Sequence, residues 1–291
     1  MNTSGSSRVM LVTGTSTGLG VAIAVRAATA GHVVYATMRN LDKRAALDAA
    51  ASAAGVSLRV LPLDVQDSTS VSAAVESIVA DHGRVDVLIN NAGAGFVRTT
   101  EQASEADIQG VLDVNFMGVV RCTKAVLPHM RQARSGHIVA ISSVGGLVGQ
   151  PFNEIYCAAK FAVEGYLESL ASYISPTFGI HFTLVEPGGI RSEFVANVMK
   201  QVEASGGILQ DEYLPVLQKY IGGSAARQSA ATDLYQSAED VAEVVMACVA
   251  ADKPPIRTRT SKWSEDFTSL KTGLDPDGRK QQAKVIEELL G

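Results

Sequence analysis

The feature that most narrows the fold of this chain is an alternation. Short β-branched runs at 8–13, 32–38, 58–63, 85–90, 137–142 and 180–185 are separated by longer, alanine-rich stretches at 18–30, 42–54, 68–82, 104–134 and 154–175. Strand, helix and strand in succession form βαβ units, with parallel strands and a right-handed crossover. The strand runs are continuously apolar rather than alternating, which predicts burial on both faces. The pattern therefore predicts an α/β fold: a doubly wound, mostly parallel sheet with helices on both faces. A hydrophobic content of 46% over 291 residues supplies a large core, and an aromatic content of only 5% makes it one of small aliphatic side chains.

The rhythm changes after residue 187. Segment 188–236 holds Gly206-Gly207, Gly222-Gly223 and several short apolar patches, with no clear strand. Residues 190–236 are expected to form a lid inserted into one domain that spans 8–258, with 259–291 as a C-terminal extension. A helix is expected over 238–251, capped by Ser237 and with Glu239 and Asp240 at its positive end. The basic stretch 253–262, with Lys253, Arg257, Arg259 and Lys262, reads as a solvated rim, and an amphipathic helix is expected near 278–290.

Several classes are disfavoured. Asp and Glu outnumber Lys and Arg by 30 to 25, so a nucleic-acid surface is not expected. No apolar run approaches the roughly 18 residues that span a bilayer. The polar start, Met1 to Ser7, is not a signal peptide. Cys122, Cys157 and Cys248 are widely spaced and form neither a metal-ligand pattern nor a disulfide framework. The chain reads as cytoplasmic, reduced and without a metal site. His129 and His137 lack a carboxylate at useful spacing and read as structural or surface residues.

A glycine loop, Thr13-Gly14-Thr15-Ser16-Thr17-Gly18-Leu19-Gly20, follows the first strand and opens the first helix. Glycines allow a sharp turn and close approach of a pyrophosphate, and the helix N-terminus offers free N–H groups. No Lys-Ser/Thr pair follows, so the loop is not that of a nucleotide triphosphatase. Dinucleotide-binding sheets of the Rossmann type hold the adenine ribose with an acidic residue at the end of the second strand. Here that strand ends Met38-Arg39-Asn40, and Arg39 is placed to take a 2′-phosphate. The expected cofactor is NADP(H), with NAD(H) possible.

Tyr156 and Lys160 stand four apart in a helix-compatible stretch and share one face. A neighbouring ammonium lowers the pKa of a phenol, which is otherwise near ~10. Ser143, just after the strand at 137–142, can hold a carbonyl or alcohol oxygen while Tyr156 moves the proton. That is the machinery a hydride transfer needs on the substrate side. Cys157 is one helical step from that face and reads as a packed thiol.

Together these residues resemble the short-chain dehydrogenase/reductase family. Thr13 to Gly20 matches its glycine loop, Asn90-Asn91-Ala92-Gly93 its N-N-A-G motif, and Asn115 its helix asparagine. Ser143, Tyr156 and Lys160 match its catalytic residues, Pro187-Gly188 its P-G pair, and Ser192 a position where the family often has Thr. The resemblance implies Tyr156 as general acid/base and Lys160 as the ligand of the nicotinamide ribose. It implies Ser143 as the group polarising the reacting oxygen, and Asn115 as the holder of a relay water. Asp64, followed by Val65, would contact the adenine. Asn91, Ala92 and Gly93 would line the cofactor, Ile190 and Ser192 its nicotinamide end, and Met38 and Arg39 would set the NAD/NADP choice.

The run from Ser143 to Gly165, and Tyr35-Ala36-Thr37-Met38-Arg39, are similar to the estradiol 17β-dehydrogenase and retinol dehydrogenase branch. That likeness implies an NADP(H)-dependent oxidoreductase acting on a lipophilic secondary alcohol or ketone, and a homodimer or homotetramer. Two other readings use the same fold: a cofactor-sensing binding protein, and an isomerase or dehydratase using the same tyrosine. A sensor needs only the cofactor half of the site, which the complete set of Asn115, Ser143, Tyr156 and Lys160 exceeds.

Overall fold

In the computed structural model the first apolar run becomes β1 (Val9–Thr13), buried along its whole length. The structure describes residues 7–191, 198–200, 202–203, 206–229 and 234–290, with side chains of 224–229 left aside. β2 (Val33–Met38), β3 (Arg59–Pro62), β4 (Val87–Asn90), β5 (Gly136–Ile141) and β6 (Ile180–Glu186) follow the expected runs. They form a parallel sheet of order β3-β2-β1-β4-β5-β6, extended by a seventh strand described below.

Strand alternation divides the core. Val9 and Leu11 of β1 face one side and Met10 and Val12 the other. The first side is covered by α3 (Ser68–His82), α5 (Gly118–Ala133) and α6 (Glu154–Phe178). The second is covered by α1 (Gly18–Thr29), by Leu47 of α2 (Ala45–Ala54), and by the helix Ala238–Ala250. That last helix begins as expected, since Ser237 and Asp240 form a reciprocal capping box.

The stretch 104–134 departs from a single helix. It divides into α4 (Glu105–Leu112), a π turn at Asp113–Met117, and α5. The Asn115 amide Nδ2 donates to the Val111 carbonyl at 3.0 Å, the group that a regular helical N–H would take. The side chain competes with the backbone and the turn widens.

Two readings of the second half are corrected. Segment 188–236 contains strand: β7 (Gly189–Arg191) and β8 (Tyr235–Ser237) pair in parallel as a small second sheet. The basic stretch is not a simple solvated rim, because Arg257–Arg259 forms β9, the seventh strand, beside β6. The Arg257 and Arg259 side chains are only 13% and 4% exposed. Ion pairs hold them there: Arg257 to Glu168 at 3.1 Å, and Arg259 to Glu186 at 3.2 Å. Lys253 and Lys262 stay exposed. The C-terminal residues form helices Lys262–Thr272 and Arg279–Leu290. Among the described residues no helix is long and apolar enough to cross a membrane.

Candidate active site

The sheet order changes direction between β1 and β4: the chain runs outward through β2 and β3, then resumes on the other side of β1. Loops diverge at such a point and leave a crevice at the carboxyl ends of the strands. The glycine loop after β1 and the Asn91–Gly93 loop after β4 meet there.

Gly14 has φ +70°, which a side chain resists, and a Cβ on it would lie 2.7 Å from the Ala92 Cα. A Cβ on Gly20 would collide with the Gly14 carbonyl oxygen and lie 2.6 Å from Asn91 Nδ2. Thr17 sits at the N-cap of α1 but its side chain makes no capping bond, so the amides of the first turn are left for another acceptor. An anionic diphosphate fits that uncapped, glycine-lined end. Of the three loop hydroxyls, Thr15's is fully buried and donates to the Thr37 carbonyl at 3.1 Å. Ser16 is half-buried and Thr17 exposed, whereas the Leu19 side chain packs into the core.

At the end of β2, Met38 is buried and Arg39 is exposed. Among the described residues Arg39 has no ion-pair partner, and no carboxylate ends the strand. Asp64 is half-buried, with Oδ1 accepting from the Gln66 amide at 3.0 Å, and Val65 is buried beside it.

The chemistry-bearing side chains gather one strand further along. Ser143 follows β5 and opens a 3₁₀ turn (Val144–Gly146), its Oγ accepting from the Gly145 amide at 3.0 Å. The Val144 amide donates to the Pro187 carbonyl at 2.9 Å, which ties this turn to the end of β6. Tyr156 and Lys160 occupy the first two turns of α6. Lys160 Nζ stands 5.7 Å from the Tyr156 ring centroid and donates to the Ile141 carbonyl at 2.9 Å. Asn115, fully buried, donates from Nδ2 to the Ala94 carbonyl at 2.9 Å and accepts the Ala94 amide on Oδ1 at 3.1 Å. A Cβ on Gly93 would lie 2.9 Å from Asn115 Oδ1 and 3.7 Å from Lys160 Nζ, so these three residues share one corner.

Burial pushes the Tyr156 phenol up to about 12, while its hydrogen bond with Ser143 pulls the other way. Burial pushes the Lys160 ammonium down to about 8, opposed by the Glu164 carboxyl. A protonated phenol hydrogen-bonded to a serine is a proton donor at neutral pH.

A family model described as short chain dehydrogenase matches residues 8–203. The chain belongs to the short-chain dehydrogenase family. It is 40% identical over 284 residues to retinol dehydrogenase 8 of Bos taurus, covering 93% of this chain and 86% of that protein. It is 38% identical over 289 residues to 17-beta-hydroxysteroid dehydrogenase type 1 of Homo sapiens, covering 97% and 86%. Among solved structures, a short chain dehydrogenase/reductase from Burkholderia phymatum in complex with NAD superposes with a TM-score of 0.77 at 25% identity. It covers 91% of this chain and 92% of that one. This short-chain dehydrogenase is thus an oxidoreductase of the steroid and retinol dehydrogenase branch.

The remaining expected positions are split. Gly188 is closely packed, since a Cβ there would lie 2.9 Å from Ser264 Oγ, and Ile190 is held in β7. Ser192 and Phe194 lie outside the described residues. Cys157 is buried and its thiol is pushed up by burial, consistent with packing. His137 is buried too, with Nε2 2.9 Å from the Thr183 hydroxyl.

Sequence reasoning missed two groups in this short-chain dehydrogenase. One is a set of ties to the segment 207–220. Arg98, 8% exposed, donates to the Gly207 carbonyl at 3.2 Å. Gln102 donates to Asp211 at 2.6 Å, and Asn153 to the Tyr220 hydroxyl at 3.0 Å. They flank an apolar cleft lined by Val97, Phe152, Met199, Leu217 and Ile221. The other is a buried acidic pair, Glu164 and Glu186. Its signal was present in the sequence: Glu164 lies one turn past Lys160 on the same face, and Glu186 ends a buried strand that is apolar at Ile180, Phe182, Leu184 and Val185.

Proposed function

We propose that this enzyme transfers hydride between NADP(H) and a lipophilic secondary alcohol or ketone. The observation that carries the reading is the convergence of Ser143, Tyr156 and Lys160 on a sheet that also carries an uncapped α1 N-terminus and an exposed Arg39. When bound, the nicotinamide supplies or accepts the hydride. In the reducing direction Ser143 holds the ketone oxygen and Tyr156 donates its phenolic proton to that oxygen, giving the alcohol. Lys160 stabilises the phenolate left behind, and Asn115 fixes the Gly93–Ala94 backbone against which Lys160 rests.

The preference for the phosphorylated cofactor rests on Arg39, whose guanidinium suits a 2′-phosphate and has no ion-pair partner among the described residues. Residues 190–236 act as a lid, and its apolar cleft favours a hydrophobic substrate, such as a hydroxysteroid, retinoid or aromatic ketone. Phe161 and Tyr173, exposed on α6 at 42% and 45%, support a homodimer or homotetramer that pairs through this helix and the α4–α5 region. The testing experiment is a panel of steroid, retinoid and aryl ketones assayed by NADPH oxidation, with polar aldoses as controls. Turnover of the polar controls alone would overturn the lipophilic reading, and no turnover with any carbonyl would overturn the redox reading.

A further inference from the structure

β7 and β8 are three residues each, and a two-stranded pair of that length is at best marginal in water by itself. The C-terminal extension supports the pair from outside. At β8, Gln236 Nε2 donates to the Thr260 carbonyl at 2.8 Å, and the Thr260 hydroxyl donates back to Gln236 Oε1. At the entrance to β7, a Cβ on Gly188 would lie 2.9 Å from Ser264 Oγ and 3.2 Å from Trp263 Cε3, so these two side chains wall the glycine closely. Leu234, just before β8, lies against the same glycine, with its carbonyl oxygen 3.1 Å from that Cβ position.

Residues 259–265 are themselves fixed to the floor of the catalytic site. Arg259 pairs with Glu186 at the end of β6 and with Glu265, the latter bidentately at 2.6 and 3.0 Å. Ser261 caps the helix Lys262–Thr272 by accepting the Ser264 amide at 3.1 Å, and Ser264 is fully buried. That helix packs on the Val144–Gly146 turn, next to Ser143. Thr260 is 8% exposed, so its hydroxyl and the Gln236 amide satisfy each other away from water, and losing either deprives the other of its bond. β8 runs straight into the helix Ala238–Ala250, whose capping box begins at Ser237. The pivot of the incoming chain is therefore Tyr235–Gln236, where Thr260 takes hold.

We propose that Thr260 and Gln236 form a clasp which, with Ser264 and Trp263 against Gly188, fixes the angle at which the lid stands over the substrate. Thr260 and Gln236 are positioning residues, acting on the substrate only through β7 and β8. The clasp rests on residues 190–236 being the lid of the proposed reaction, and it makes the C-terminal extension a determinant of how tightly that lid holds its substrate.

The test compares wild type with Thr260→Val, Thr260→Ser, Gln236→Leu and the double variant of Thr260→Val with Gln236→Leu. Brief trypsin treatment cuts at the exposed Lys219, in the helix Leu214–Ser229, when that helix opens locally, so the rate of this cut reads lid mobility without turnover. Thr260→Val and Gln236→Leu are each expected to raise it about tenfold, and Thr260→Ser, which keeps the hydroxyl, to leave it near the wild-type rate. The double variant is expected to be cut no faster than either single one, because the pair is already broken. An unchanged rate in both single variants, an additive double variant, or an equal rise at the exposed Arg26 of α1 overturns the proposal. With a lipophilic ketone that wild type reduces, Thr260→Val is expected to raise the substrate KM about fivefold and to leave the NADPH KM unchanged. An unchanged substrate KM overturns the proposal. A wild type that turns over no carbonyl counts against the proposed function alone, and the cut at Lys219 then decides the clasp. Should Thr260→Val not fold, Gln236→Leu carries the same comparisons.

Discussion

Asn91 Nδ2 donates to two consecutive carbonyls of the glycine loop, Thr13 and Gly14, each at 2.9 Å. One side chain after β4 thereby braces the loop after β1. Asn91→Ala removes both bonds, at a cost of roughly 1–3 kcal/mol. The expected outcome is a cofactor KM raised about tenfold or more with a smaller change in kcat, read from steady-state kinetics with varied NADPH. An unchanged cofactor KM would show that the loop holds its shape without Asn91.

Tyr156→Phe deletes the proton donor and keeps the ring. Turnover is expected to fall by roughly 10²- to 10⁴-fold while NADPH still binds, as titrated by nicotinamide fluorescence. Retained turnover would remove Tyr156 from the proposed chemistry.

Arg39→Ala should separate the cofactors. Losing a charge-assisted bond to a 2′-phosphate weakens NADPH by about tenfold to a hundredfold and leaves NADH nearly unchanged. The check is the ratio of kcat/KM for the two cofactors in wild type and variant. Equal losses would count against a 2′-phosphate contact.

His137 makes the fold sensitive to acid. Burial pushes its pKa down to about 3, from 6.5 in an exposed imidazole. The unfolded chain therefore takes up a proton that the folded one refuses. This contribution is full above 6.5 and is lost progressively as pH falls toward 3. Urea midpoints should drop less for His137→Gln than for wild type between neutral pH and about pH 5, each relative to its own neutral value. Equal drops would show that another group governs the acid limb.

Much of this was legible before the structure. The central strands reveal themselves because buried parallel strands are largely apolar, whereas β3 at the edge is not buried, and the cofactor loop because glycines are needed where backbones touch. Tyr156 and Lys160 share a helix face by spacing alone. What the sequence hid depends on contacts made at long range. Arg259 looks like a surface cation until β9 pairs with β6 and brings it to Glu186. The π turn is invisible because Asn115 widens it only once its amide reaches Val111 and Ala94. β7 and β8 are three residues each, too short to show a period, and they exist because Gly189 and Tyr235 meet.

The same meeting sets how the chain closes. Because Gly189 pairs with Tyr235 and Arg191 with Ser237, positions 191 and 235 are held side by side, as the two posts of one doorway. Lengthening or exchanging what lies beyond the doorway adds little closure entropy and leaves the strands of the main sheet untouched.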